Sequence, residues 1–278
     1  GAHAGRRVDI QDFMVVCPGA NSFAEALEWT AEVYRAAGAA MHERGALFGV
    51  ADEGGWWPDF ASNEAALGAL VAAIERAGYE PGRQVAIALD VAASEFGACR
   101  DGRGRYTLGL ERRELDSDGL VELLLRWCER YPIASIEDPL AEDDLEGFAR
   151  FTRAVGARVQ VVGDDLLVSD AALVRRAAAA GAANTVLLKP NQRGTLSETL
   201  ACWQAAREVG YAAIVSARSG ESEDTTIVDL AIGWDVGQLK VGSFARGERM
   251  AKWNEALRIE ERLGARARFA GAAAFGRN

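Results

Sequence analysis

Apolar and polar positions along this chain change period repeatedly. Val8 to Val16 is β-branched and aromatic with partial alternation and is bounded by Pro18-Gly19, so it reads as a strand. From Ser22 to about Arg44, Phe23, Ala26, Leu27, Ala31, Val33 and Tyr34 form one helical stripe, which Gly45 ends. A short run, Ala46 to Val50, leads into the glycine turn Asp52-Glu53-Gly54-Gly55, and Asn63 is the expected cap of a helix running to Ala77.

Beyond Gly78 the pattern becomes regular. Strand Val85–Leu89 is followed by a Gly/Arg-rich excursion (Gly97 to Arg105) and helix Asp118–Arg130. Strands Ile133–Ile136, Val159–Val162 and Thr185–Leu188 precede helices Asp144–Val155, Asp170–Ala180 and Thr195–Val209. Strand Ala212–Val215 precedes helix Asp224–Gly233, and Gln238–Val241 leads to helix Gly247–Leu263. Six consecutive strand–helix units with nearly unbroken apolar strands predict a buried parallel sheet. No GxGxxG turn follows any strand, which argues against a doubly wound dinucleotide fold. The expectation is an α/β barrel with its chemistry at the C-terminal strand ends. No linker or low-complexity segment divides the chain, so residues 1–278 are expected to form one domain.

Composition narrows the function. The 278 residues are 49% hydrophobic and 26% charged, enough for a sizeable core. A formal net charge of -10 argues against nucleic acid or an anionic membrane as partner, and no apolar run is long enough to span a bilayer. Cys17, Cys99, Cys128 and Cys202 lie far apart with no CxxC pair, which suggests reduced thiols in a cytoplasmic protein. With only His3 and His42 as imidazoles, a histidine-rich zinc site is not expected. The chain opens on Gly1-Ala2-His3 without a methionine, as the C-terminal part of something longer would.

The strand ends carry the chemistry. Asp90, Glu137 and Asp164 each follow an apolar strand, Glu137 within Ser135-Ile136-Glu137-Asp138-Pro139. Such acids either cap the next helix or offer oxygen ligands to a hard divalent cation from rigid supports. The later strands end in Lys189, in Ser216-Ala217-Arg218-Ser219 and in Lys240. Either lysine alone could be an ion-pair partner of the acids, and Arg218 alone could bridge acids. Together and in strand order, they suggest a desolvated lysine that removes a proton, a metal-held carboxylate, and a phosphate gripped by Arg218 and Ser219.

These residues sit in segments that strongly resemble enolase. The segments are Ala88-Leu89-Asp90-Val91-Ala92-Ala93-Ser94-Glu95-Phe96, Ser135 through Asp144, and Val162-Gly163-Asp164-Asp165-Leu166. Lys189-Pro190-Asn191-Gln192, Arg218-Ser219-Gly220-Glu221 and Asp52-Glu53-Gly54-Gly55 extend the likeness over essentially the whole chain. The resemblance implies an enolase-type modified TIM barrel, with the N-terminal α+β capping domain and first barrel strand outside this sequence. Ala46–Val50 would then lie outside the barrel. It implies Mg²⁺ held by Asp90, Glu137 and Asp164, Lys189 as base, and Lys240 on the substrate carboxylate. Glu53 would be the acid that helps the β-hydroxyl leave, with Glu25 supporting it, His3 on the substrate loop, and Arg218 and Ser219 on the phosphate.

The implied activity is conversion of 2-phosphoglycerate to phosphoenolpyruvate. The partner would be a small phosphorylated carboxylate, and the assembly a homodimer or higher homo-oligomer. Three departures stand out: Ala217 where the family carries a histidine before its Arg-Ser pair, the double tryptophan Trp56-Trp57, and Arg193 in place of an aliphatic residue. They raise a specialised biosynthetic paralogue, resembling carboxyphosphonoenolpyruvate synthase, as the alternative. A non-catalytic enolase-like binding protein is the third reading; it predicts decay at chemical positions that are in fact retained.

Overall fold

The computed structural model describes residues 1–275. In chain order the first elements are β1 (Asp12–Val16), α1 (Phe23–Glu43), the hairpin β2 (Leu47–Val50) and β3 (Trp56–Pro58), and α2 (Asn63–Arg76). Strand β4 (Ala86–Asp90) precedes a three-stranded antiparallel ribbon, β5 (Gly97–Arg100), β6 (Arg103–Leu108) and β7 (Arg113–Leu115). Then come α3 (Ser117–Arg130), β8 (Ile133–Glu137), α4 (Leu145–Val155), β9 (Gln160–Gly163), α5 (Ala171–Ala180) and β10 (Thr185–Leu188). The short α6 (Pro190–Arg193), α7 (Leu196–Glu208), β11 (Ala212–Ser216), α8 (Thr226–Gly233), β12 (Leu239–Lys240) and α9 (Gly247–Leu263) complete the order.

The main sheet has seven strands in the order β1-β4-β8-β9-β10-β11-β12. All its pairings are parallel except β1 with β4, which run antiparallel with Asp12 opposite Asp90. Strands β4, β8, β9 and β10 are buried at every residue, as apolar runs covered on both faces require. Helix α4 shows how the outer layer seals them: Phe148, Phe151 and Val155 are fully buried while Glu146 and Arg150 pair on the outside.

The sheet curls on itself. Flat, β4 and β12 would lie about 24 Å apart at the usual strand spacing. Yet Lys240 Nζ on β12 donates to Asp90 Oδ2 on β4 at 2.7 Å. The end strands β1 and β12 are not paired with each other among the described residues. Phe13 and Val15 of β1, Leu239 of β12 and Val33 and Ala37 of α1 face a cavity of about 720 Å³, whose rim reaches His3, Asp12, Glu53 and Lys240.

Local chemistry moved several expected boundaries. Asp116, Asp144, Asp170 and Thr195 are N-caps whose side chains accept backbone N–H bonds, so α3, α4, α5 and α7 each begin one residue after their cap. Ser62, not Asn63, caps α2, accepting from Ala65 N; the buried Asn63 instead accepts from Asp9 N at 2.8 Å. The first strand starts at Asp12 rather than Val8, because Asp9 turns away to accept from Gly109 N at 2.8 Å. Ala46–Val50 lies outside the barrel as expected, since Leu47–Val50 pairs only with β3.

Candidate active site

Asp90 and Glu137 end β4 and β8 side by side in register, and Asp164 follows β9. They are 3%, 2% and 8% exposed, so each carboxylate has left most of its water behind. None caps a helix, because Asp144 and Asp170 perform that task for α4 and α5. Lys240 Nζ donates to Asp90 Oδ2 at 2.7 Å and to Glu137 Oε1 and Oε2 at 2.9 and 2.8 Å. Burial opposes the charge on Lys240, but Asp90 and Glu137 outweigh it and hold the ammonium well above its ordinary pKa. One ammonium cannot neutralise two acids. Burial and then Asp90 push Glu137 well above the usual range, while Asp90, despite its own burial, is drawn below it by Lys240.

Across the mouth the Lys189 ammonium pairs with Asp164, whose other oxygen accepts from Gln192 Nε2 at 2.9 Å. Lys189 N donates to Ser169 Oγ at 2.8 Å, so the backbone at the end of β10 is held as well. Asp138 is buried in the left-handed region at φ 40 and accepts from Asp164 N at 3.0 Å and Asp165 N at 2.7 Å. Burial, with Asp164 and Asp90 behind it, raises the Asp138 pKa well above the usual range.

Glu53 lies in the tip between β2 and β3. Its carbonyl accepts from Ser243 N at 2.8 Å, and a Cβ on Gly242 (φ 122) would come within 2.6 Å of that oxygen, so only glycine fits there. Tyr34 Oη donates to Gly54 O at 3.1 Å and steadies the same turn. His3 Nε2 stands 3.7 Å from Glu53 Oε1.

Sequence reasoning missed Asp12. Its carboxylate, that of Glu53 and a His3 ring nitrogen all lie within 4.8 Å of one another. Because β1 runs antiparallel, its first residue lies at the same rim as the last residues of the parallel strands, as the Asp12–Asp90 register shows. The signal was an acid at a strand start, hidden by reading Val8 to Val16 as one strand and by inspecting only C-terminal ends.

Burial, reinforced by Glu53, raises Asp12 from 3.8 to about 6, and burial also raises Glu53 despite Lys240 and Arg249. A carboxyl whose folded pKa is raised contributes stability below its unfolded pKa and loses it as pH rises through the folded one. In metal-free buffer, Asp12→Asn should therefore gain on the wild-type chain as pH rises from about 4 to about 6. Urea unfolding of both chains across that range checks this. A stability difference independent of pH would show that Asp12 does not titrate there.

The remaining expected residues divide. Arg218 and Ser219 follow β11 at the same rim, where Arg218 N donates to Glu221 Oε1 at 2.8 Å and its Nη1 donates to Asn191 Oδ1 at 3.1 Å, two residues from Lys189. Ala217 is buried and donates its N–H to Lys240 O at 2.9 Å, joining the ends of β11 and β12. Glu25 is not brought to Glu53. Its carboxylate accepts from Asn21 N and Nδ2 at 2.6 and 3.0 Å in the first turn of α1. It stands about 13 Å along the helix from Tyr34, the α1 residue bonded to the Glu53 turn.

Arg193 is committed elsewhere, its guanidinium paired with Asp170 at 2.8 Å and Glu198 at 3.5 Å. Trp56 stacks on Tyr34 with centroids 4.3 Å apart. Trp57 backs the His3 turn so closely that a Cβ on Gly5 (φ 64) would lie 2.8 Å from its ring.

Acids and lysines converging at the C-terminal rim of a curled α/β sheet define a barrel whose chemistry belongs to its strand-end loops. Residues 1–277 match the family described as enolase, C-terminal TIM barrel domain, and the chain belongs to that family. It is 51% identical over 275 residues to the enolase of Rubrobacter xylanophilus, an alignment covering 99% of this chain and 63% of that protein. No helix among the described residues is long and apolar enough to cross a membrane.

Proposed function

We propose that this chain carries the catalytic barrel of an enzyme that converts 2-phosphoglycerate to phosphoenolpyruvate and water. The observation that carries the reading is the pairing of Lys189 with Asp164 across the mouth from Lys240 with Asp90 and Glu137. The likeness to the Rubrobacter enolase supports it, and the chain spans 63% of that protein's length.

The donor set fits Mg²⁺: buried carboxylate oxygens on rigid strand ends, with no thiolate among them. Asp90, Glu137 and Asp164 would hold the ion, which supplies Lewis-acid stabilisation of negative charge on the substrate carboxylate. Lys240 binds that carboxylate, Arg218 and Ser219 bind the phosphate, and Lys189 Nζ, once its ammonium has released a proton to solvent, takes the proton from the α-carbon as the neutral amine. Glu53, whose carboxyl burial pushes above its ordinary range, is the acid that gives its proton to the departing β-hydroxyl, which leaves as water. Asp12 and His3 stand beside Glu53, with a carboxylate oxygen and a ring nitrogen within 4.8 Å of its carboxylate.

The biosynthetic alternative rested on Ala217, Trp57 and Arg193. Arg193 is spent on ion pairs between α5 and α7, and Trp57 supports the His3 turn, so no observation of the site favours it. The family resemblance also supports residues 1–278 acting as one barrel unit, a homodimeric or larger assembly, and a cytoplasmic location.

The test is a spectrophotometric assay of phosphoenolpyruvate formed from 2-phosphoglycerate, with Mg²⁺ and with EDTA. Turnover that EDTA abolishes is expected. Mg²⁺ binding without turnover would turn the reading toward a different substrate, and neither binding nor turnover toward a scaffold.

A further inference from the structure

Helix α9 carries two cations that the proposed chemistry does not use, Arg249 and Lys252, both 0% exposed. Burying a full charge is costly unless its donors are satisfied, so what they hold is informative. Arg249 Nη1 donates to Arg218 O at 2.6 Å and Val241 O at 2.9 Å, and its Nη2 donates to Ser219 O at 2.6 Å. One rigid fork thus grips the backbone of both residues assigned to the phosphate and of the residue after Lys240. Lys252 Nζ donates to Ser222 O at 2.8 Å and pairs with Glu221 at 2.9 Å; Glu221 in turn accepts from Arg218 N at 2.8 Å. Trp253 Nε1 adds a bond to Gly242 O at 3.2 Å. The loops after β11 and β12 therefore hang from one face of α9.

We propose that Arg249 and Lys252 are positioning residues that set the Arg218–Ser219 anion grip at a fixed distance from Lys240, so that α9 determines affinity for the phosphorylated end of the substrate. The inference rests on the assignment of Arg218 and Ser219 to the phosphate. Neither cation touches substrate. Arg249 acts through carbonyls that a lysine in its place could bond only in part, and Lys252 acts through Glu221. Phosphate contacts are made equally before and during proton removal, so their loosening should appear in KM rather than in kcat.

Arg249→Lys keeps the buried charge but loses the fork. It is expected to raise KM for 2-phosphoglycerate roughly 10- to 100-fold, with kcat changed by less than about threefold. The inhibition constant of inorganic phosphate should rise in parallel, while half-saturation by Mg²⁺ stays put. Glu221→Ala, which frees both Arg218 N and Lys252 at a less buried position, should do the same and guards against failure of Arg249→Lys to fold. Ile259→Val, a packing change on the same helix, is the control, lowering Tm without moving KM.

If both variants lose Tm but keep the wild-type KM and phosphate inhibition, α9 is merely structural and the proposal is overturned alone. If the wild-type chain neither binds nor turns over 2-phosphoglycerate, the functional reading falls and takes the proposal with it.

Discussion

Lys189→Ala is expected to abolish exchange of the substrate α-proton with solvent and to cut turnover by about 10²- to 10⁴-fold, the usual range for a positioned proton acceptor. Lys189 ends β10, its backbone N–H is fixed by Ser169 Oγ, and its ammonium reaches Asp164, itself held by Gln192 and, through its backbone, by Asp138. Every neighbour that orients Lys189 survives the substitution. Mg²⁺ affinity should not fall, because a cation is removed from beside one of the acids assigned to the ion. Incubation of 2-phosphoglycerate with the variant in D₂O, followed by proton NMR, reads the exchange directly. Deuterium entering the α-position at the wild-type rate would remove Lys189 as the base, whatever happened to overall turnover.

Lys240→Met should have the largest effect on stability. The ammonium donates to Asp90 and to both oxygens of Glu137, and those carboxylates are nearly inaccessible to water. Removing one partner of such a buried group leaves uncompensated charge and costs roughly 3–5 kcal/mol. In a chain of this size that lowers Tm by roughly 10 °C. A divalent cation held by the same acids can replace part of the missing charge, and its stabilisation adds by mass action. The variant should therefore recover more Tm from added Mg²⁺ than the wild-type chain does. Thermal melts in EDTA and in Mg²⁺ check this, and equal losses in both would show that the acids and the ion do not share Lys240's site.

Most of the charged rim was legible in the sequence, and for a definite reason. Apolar strands that are covered on both faces leave few places for an acid or a lysine, so Asp90, Glu137, Asp164, Lys189 and Lys240 stand out where their strands stop. Expectations slipped where a residue's type or likeness was read without the partner it takes in the fold, near or far in sequence. Glu25 was placed with Glu53 by likeness, but the side chain is occupied by Asn21 four residues away. Asn63 reads as a cap because its type favours caps, yet Ser62 was closer to the turn and Asp9 claimed the amide. Arg193, striking in a chemical stretch, is neutralised by Asp170 and Glu198 on neighbouring helices.

From its periodicity the sequence showed the alternating strands and helices of the main sheet and the charged residues at their ends, but not β3, the β5–β7 ribbon or α6. Tertiary structure decided which ends meet. Pairing direction and sheet curvature depend on contacts between residues far apart in the chain, which no local pattern encodes. The antiparallel course of β1 carries Asp12 to the rim, and the curl of the sheet brings Lys240 across to Asp90, 150 residues away. Packing of α9 buries Arg249 beneath the loop it holds.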